Sequence, residues 1–262
     1  MSVPDFERAI VESSGGLVNR VVVLESCGST QDEGRARCEQ RPGLLVMTRS
    51  QLHGRGRLGR SWSVAPGLSF AGSLVLPSSI SIPKLSIGSG VAVCCACQHA
   101  VGESVALGLR WPNDVVERTP SGPGRKVAGL LIESAQGLTV VGIGANILQQ
   151  TEDFPQELRG SAASVHMLGG RGSVEDFAIR LVREISVVMS SSEADLCAQW
   201  MRVDTLKGHQ GTFEHAGRRV TGIVERIDPS SEIVLRTPDG TATLPAMTTS
   251  LIHGSVQAAH SA

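Results

Sequence analysis

The 262-residue sequence predicts an α+β fold: a mixed, mostly antiparallel sheet with helices over residues 1–205, then a small β-barrel over 206–254 and a disordered tail over 255–262. Three observations carry this prediction. β-Branched runs of strand length, such as Val21-Val-Val-Leu24 and the segment Leu138 to Ile147, recur along the first part of the chain. Between them lie stretches of helical length, Pro83 to Val101 and Val174 to Met189, the second with Phe177, Leu181, Ile185 and Val188 on one stripe. After Lys207-Gly208 the texture changes to short β runs punctuated by Pro229-Ser-Ser and Pro238-Asp-Gly turns.

Taken in order, Pro4 to Ser13 reads as a short helix and Leu17 to Glu25 as the first strand. Ser29 or Thr30, followed by Asp32 and Glu33, signals a helix N-terminus, and that helix reaches about Glu39 before the Arg41-Pro42-Gly43 turn. The two hydroxyls serve either as caps or as groups offered to a ligand. Strands follow at Leu44 to Thr48 and Gly67 to Leu76, and at Leu107 to Trp111, which Pro112-Asn113-Asp114 breaks. That step is a turn by default, yet it sets an amide and a carboxylate at a strand end. Glu117 to Arg125 has hairpin-loop composition, so Val115 to Glu117 should pair antiparallel with Lys126 to Glu133. Lys126 is then either an edge charge or a cation aimed into a site. Asn146 ends the next strand, where a buried amide must find partners or meet a ligand. Gln149 to Arg171 is loop-rich with a short helix near Ser161 to Met167. Helices capped by Ser173 and running from Glu193 to Met201 complete the first part.

Composition removes several function classes. With 41% hydrophobic and 19% charged residues the chain is an ordinary globular one, and its net charge of −1 gives no basic field for wholesale nucleic-acid binding. The aromatic content of 3%, with no Tyr, removes most stacking platforms for single strands. The polar N-terminus is unlike a signal peptide, and no apolar run approaches the about 18 residues of a membrane span, so a cytoplasmic protein without a membrane partner is expected. Cys94 and Cys97 form a C-x-x-C pair with no second pair or histidine cluster beside it; with Cys95 they read as small core residues of a helix.

One stretch stands apart. In Gln51-Leu-His-Gly-Arg-Gly-Arg-Leu-Gly-Arg-Ser-Trp62 three glycines alternate with three arginines, so a mobile backbone can fold N–H groups and guanidiniums around an anion. Gly54-x-Gly56-x-x-Gly59 formally matches a dinucleotide fingerprint, but Ser61 to Gly67 is no apolar helix and the next acidic residue is Glu103, so that assignment fails. A solvated basic loop without a ligand is the plainer alternative.

The polar outliers fall in a recognisable order. Gly28-Ser-Thr30, Gln51 with Gly54 to Trp62, Trp111-Pro-Asn-Asp114, Arg125-Lys-Val-Ala-Gly-Leu-Leu-Ile-Glu133 and Gly142-Ile-Gly-Ala-Asn146 together resemble the biotin–protein ligase family, from about residue 17 to about residue 252. The resemblance implies a class II synthetase-like catalytic core with an SH3-like C-terminal barrel, of the monofunctional type without a DNA-binding domain. It also implies ATP and Mg²⁺ as cofactors, biotin as substrate, and the biotin carboxyl carrier protein or domain of acetyl-CoA carboxylase as acceptor. By position, Ser29, Thr30, Gln31 and Gln51 match the biotin-contacting set, as do Arg55, Gly56 and Arg57; Gln31 stands where asparagine is usual. Lys126 matches the lysine that contacts both biotin and the activated phosphate. Arg57, Arg60, Trp62, Asn113, Lys126 and Asn146 match nucleotide-associated positions, Asn146 with a Mg²⁺ contact as well. Lys126, Arg55, Arg57 and Asp114 are the implied catalytic residues, Asp114 orienting Lys126 or assisting the acceptor amine. A lipoate or octanoyl ligase or transferase of the same fold, and a non-catalytic biotin- or phosphate-binding module, are the alternatives.

Overall fold

The computed structural model describes residues 1–63, 65–135, 137–252 and 254–258. Helix α1 (Val3–Ser13) is capped by Ser2, whose hydroxyl accepts from the Asp5 N–H. Then come β1 (Arg20–Cys27), α2 (Thr30–Arg37), β2 (Leu44–Gln51) and β3 (Ser69–Pro77). α3 (Ile82–Val101) leads to β4 (Leu107–Arg110), β5 (Asp114–Thr119), β6 (Gly122–Ala135) and β7 (Leu138–Asn146). α4 (Val174–Met189) and α5 (Glu193–Arg202) follow. The C-terminal strands are β8 (His209–His215), β9 (Arg218–Asp228), β10 (Glu232–Thr237), β11 (Gly240–Pro245), β12 (Thr249–Leu251) and β13 (Gln257–Ala258).

The first seven strands form one sheet in the order β1-β2-β3-β7-β6-β5-β4. β1 and β2 are parallel, joined over α2, and every other pairing is antiparallel. Alternation along β2 sends Leu44 and Val46 to a small cluster with Val75 and Val140, while Leu45 and Met47 join the main core. α2 covers the small cluster, and Gly34 allows the close approach: a Cβ there would stand 3.3 Å from Val75 Cγ2. The long helices pack on the main core, where Gly88 of α3 faces Met189 and Leu196. Cys94 and Cys97 are buried on α3 as expected, whereas Cys95 is exposed because it lies one step round the helix from that face.

Three expectations are corrected. The Glu117–Arg125 loop is mostly strand, turning only at Thr119 to Gly122. Glu117 accepts from Arg125 Nε at 2.7 Å, Nη2 at 2.8 Å and the backbone N–H at 3.0 Å, which zips the hairpin further than its Pro and Gly content suggests. The helix near Ser161 to Met167 is only a 3-10 turn at His166–Leu168, since the Val165 and His166 N–H groups bond to Asn146 and Ile147 carbonyls. The tail begins ordered: Ser255 Oγ accepts from the Thr212 N–H at 3.1 Å, and Gln257–Ala258 pair with His209 and Gln210. Residues 259–262 lie outside the described residues.

The C-terminal strands run β11-β10-β9-β8-β12, with β13 also on β8, all antiparallel. This suits an SH3-like unit, though among the described residues no ladder joins β11 to β12 to close a barrel. Backbone bonds between Leu109 and both Val203 (2.7 Å) and Thr205 (3.1 Å) tie the end of α5 to the edge strand β4.

The helical layer is anchored to the sheet by Phe177 packed edge-on against Phe70, with centroids 5.4 Å apart. Both rings are buried. Phe177→Ala should lower unfolding stability by about 3–5 kcal/mol, read from denaturant melts; a loss below about 1 kcal/mol would show that α4 is not held this way.

Candidate active site

The site begins with glycines. On β6 and β7 Gly129 lies opposite Gly144, with Gly142 two residues away on the same face. A Cβ on Gly144 would stand 2.3 Å from Trp62 Cε2, one on Gly129 2.9 Å from Lys126 Nζ, and one on Gly142 3.0 Å from Gln31 Cδ. The bare strand surface is therefore a floor on which three side chains lie flat. Above it is a cavity of about 290 Å³ lined by every residue the sequence singled out: Ser29, Thr30, Gln31 and Gln51; Arg55, Gly56, Arg57, Arg60 and Trp62; and Asn113, Asp114, Lys126 and Asn146.

The loop over the cavity is folded. Trp62 N–H donates to Gly54 O at 2.8 Å and Gly56 N–H to Arg60 O at 2.7 Å. A 3-10 turn at its tip puts Leu58 and Gly59 at positive φ. Gly54 is obligatory, because a Cβ there would lie 2.3 Å from the Trp62 carbonyl oxygen. Arg55 does not reach into the cavity as a free cation: it grips Asp32 on α2 through both terminal nitrogens, at 2.6 and 2.8 Å. The Arg55 hydrogen bonds hold the Asp32 carboxyl below its usual range. Arg57 donates to Asn113 Oδ1 at 3.3 Å and to the Ala246 and Thr249 carbonyls, so the loop touches the C-terminal sheet. Burial pulls its pKa down, and its direct partners are neutral.

Lys126 opens the apolar part of β6, and its Nζ meets Asp114 Oδ1 at 2.5 Å. Arg110 Nη2 meets Asp114 Oδ2 at 2.7 Å. Burial alone would raise the Asp114 pKa, but Lys126 and Arg110 outweigh it and hold the carboxyl at about 2. Lys126 Nζ also stands 5.2 Å from the Trp62 ring centroid. Two cations share one carboxylate here, leaving net positive charge at the cavity wall.

The remaining polar residues divide. Ser29 is the N-cap of α2 by position, but its side chain makes no capping bond. Thr30 donates through N–H and Oγ1 to Gln51 Oε1, at 2.9 and 3.1 Å. Asn113 Nδ2 donates to the Leu130 carbonyl. Asn146 bonds through both ends of its amide: Nδ2 donates to Lys126 O and Ala163 O, and Oδ1 accepts from Gln149 at 3.2 Å. These bonds tie strand ends together while Asn146 keeps its place in the cavity lining.

Sequence reasoning missed Arg110, Asp32 and Glu133 as site residues. Arg110 had a signal, since a tight turn at Pro112-Asn113 makes it the cross-strand partner of Asp114. Asp32 and Arg55 are 23 residues apart, and nothing local pairs them.

Gly144→Ala should unseat Trp62 and open the loop, so that limited trypsin digestion at Arg57 and Arg60 speeds up while the fold is retained; unchanged cleavage would mean that Trp62 does not close the loop. The Asp114 pair stabilises the fold fully above the unfolded carboxyl pKa of about 3.9 and loses that contribution as pH falls through about 2. Wild type should therefore exceed Asp114→Asn in unfolding midpoint at pH 7, with the gap closing toward pH 2. A gap independent of pH would refute the ionised pair.

The model of the biotin/lipoate A/B protein ligase family matches residues 23–147. Biotin–[acetyl-CoA-carboxylase] ligase of Paracoccus denitrificans is 31% identical over 224 residues, which cover 78% of this chain and 90% of that one. The enzyme of the same name from Mycobacterium tuberculosis is 29% identical over 227 residues, covering 81% and 82%. Among solved structures, biotin protein ligase from Aquifex aeolicus in complex with biotin and ATP superposes with a TM-score of 0.76 over 89% of this chain and 99% of that one; at 22% identity this likeness speaks for the fold alone. By the extent of its likeness to the Paracoccus enzyme, the chain belongs to the biotin/lipoate A/B protein ligase family, among the biotin–protein ligases.

Proposed function

We propose that this chain is an ATP-dependent ligase that activates biotin as biotinyl-5′-AMP and transfers it to one lysine of a biotin carboxyl carrier protein or domain. The observation that carries this reading is a cavity lined by Lys126, Arg57 and Arg60 under a glycine-hinged loop, with no cysteine or histidine in its lining among the described residues. Adenylation needs no protein nucleophile. The biotin carboxylate attacks the α-phosphate and pyrophosphate leaves; the protein must neutralise charge, align the reactants and keep water from the mixed anhydride. Lys126 and Arg57 serve the first task, and Trp62 with its loop the last. In the second step the acceptor amine attacks the acyl carbon and AMP departs.

Asp114, held at about pKa 2, is too weak a base to accept the amine proton near neutrality, which favours its role as the group that orients Lys126. Mg²⁺ enters with the nucleotide, as its preference for phosphate oxygens and water suggests. Among the described residues no group of three or more His, Cys, Asp or Glu is placed to hold an ion. A thiol-dependent acyl transferase is disfavoured: Cys94 and Cys97 are buried in α3, and burial pushes the Cys94 thiol up to about 12. We read residues 1–205 as the catalytic part, with the C-terminal sheet adding Ser250 and Leu251 to the cavity wall. The names of the relatives point to the acetyl-CoA carboxylase carrier as acceptor. Use of ATP and six unpaired thiols suit the cytoplasm. No helix of the described residues is long and apolar enough to cross a membrane.

The test is exchange of labelled pyrophosphate into ATP, which needs no acceptor. Biotin should support it and lipoate and octanoate should not. Lys126→Ala should slow it by about 10²–10³-fold while Arg110 keeps Asp114 paired and the unfolding transition intact. Exchange with lipoate equal to that with biotin, or wild-type exchange by a folded Lys126→Ala, would refute the reading.

A further inference from the structure

Glu133 is where the loop and the cavity wall meet. It sits on β6 opposite Val140 of β7, and its Oε2 accepts from Gln31 Nε2 at 2.9 Å and from Arg35 Nη2 at 2.5 Å. Arg55 Nη2, already bound to Asp32, stands 3.6 Å from the same oxygen. One carboxylate therefore faces the residue before Asp32 on α2 and the cation that clasps the loop to Asp32.

The effect on Gln31 is specific. An ionised carboxylate only accepts hydrogen bonds, so the amide must turn its NH₂ end toward Glu133. Its oxygen then points the other way. Gln31 is 4% exposed and lines the cavity, with Gly142 beneath its Cδ, yet Oε1 has no partner among the described residues. A buried acceptor without a donor is rare and calls for an explanation. A ligand that brings an N–H supplies one. Biotin, the substrate of the proposed reaction, carries N–H donors only in its ureido ring, while its carboxylate belongs beside Lys126 and Arg57.

We propose that Glu133 is a positioning residue for ureido recognition: it fixes the Gln31 amide so that Oε1 accepts from a ureido N–H, and through Arg55 it links that recognition to closure of the loop. The inference rests on the biotin ligase reading. Glu133 touches no reacting atom, so its effect belongs in biotin affinity and not in the chemical step.

The experiment measures pyrophosphate–ATP exchange by wild type and Glu133→Gln, with biotin and with each of its two ureido N-methyl derivatives. A glutamine at 133 can offer either end of its amide and no longer dictates how Gln31 turns. Glu133→Gln should raise KM for biotin about tenfold, the scale of one hydrogen bond, with KM for ATP and kcat within about twofold. Wild type should discriminate strongly against one N-methyl isomer, and the variant should lose most of that discrimination. Arg35→Ala, which keeps the carboxylate, should retain it. If Glu133→Gln does not fold, Glu133→Asp, with the charge kept and the oxygen withdrawn by one methylene, carries the same expectation. Unchanged KM and discrimination, or an equal rise in KM for biotin and both derivatives, would overturn the role of Glu133 and leave the ligase reading standing. Wild type without biotin-dependent exchange would overturn both.

Discussion

Asp114, half-buried between Lys126 and Arg110, is the interaction on which the site depends. A lone carboxylate in that place would give up its charge; two cations at 2.5 and 2.7 Å keep it ionised. The geometry is economical. Arg110 and Asp114 face each other across the β4–β5 turn, and Lys126 arrives from β6 over Gly129. The pair thereby locates the ammonium group at the cavity wall and limits its freedom, while the surplus positive charge remains for an anionic reactant.

The loop is governed by shape and by charge at different points. Glycines at 54, 129, 142 and 144 remove the side chains that would otherwise collide with Trp62, Lys126 and Gln31. Arg55 is neutralised by Asp32 and acts as a clasp; Arg57, half-buried against carbonyls, meets no carboxylate directly and keeps its charge available. The arginines of one short loop thus do unlike work, because each meets a different environment. The Arg57 contacts with Ala246 and Thr249 also make the C-terminal sheet part of the loop's support.

Much of this was legible in the sequence. The strands declared themselves through β-branched runs, and α4 through its apolar stripe and its Ser173 cap, whose hydroxyl accepts from the Asp176 N–H. The polar residues at strand ends did gather around one cavity, because those ends lie side by side in the sheet. What was hidden depends on distant partners. Nothing near Arg55 announces Asp32, nothing near Arg57 announces Ala246, and the composition of 117–125 conceals the Glu117–Arg125 bonds that lengthen the hairpin. Asn146 had two readings in the sequence, and the structural one shows only in its bonds to Gln149, Lys126 and Ala163, residues that nothing local announces.

On this reading the cavity makes an activated biotin and hands it to a protein lysine. The most direct test is the intact mass of a biotin carboxyl carrier domain after incubation with this protein, biotin and Mg·ATP, beside a lipoyl domain under the same conditions. The carrier should gain one biotinyl group, dependent on ATP, and the lipoyl domain should stay unmodified. A carrier left unmodified by folded protein, or a lipoyl domain acylated in its place, would contradict it.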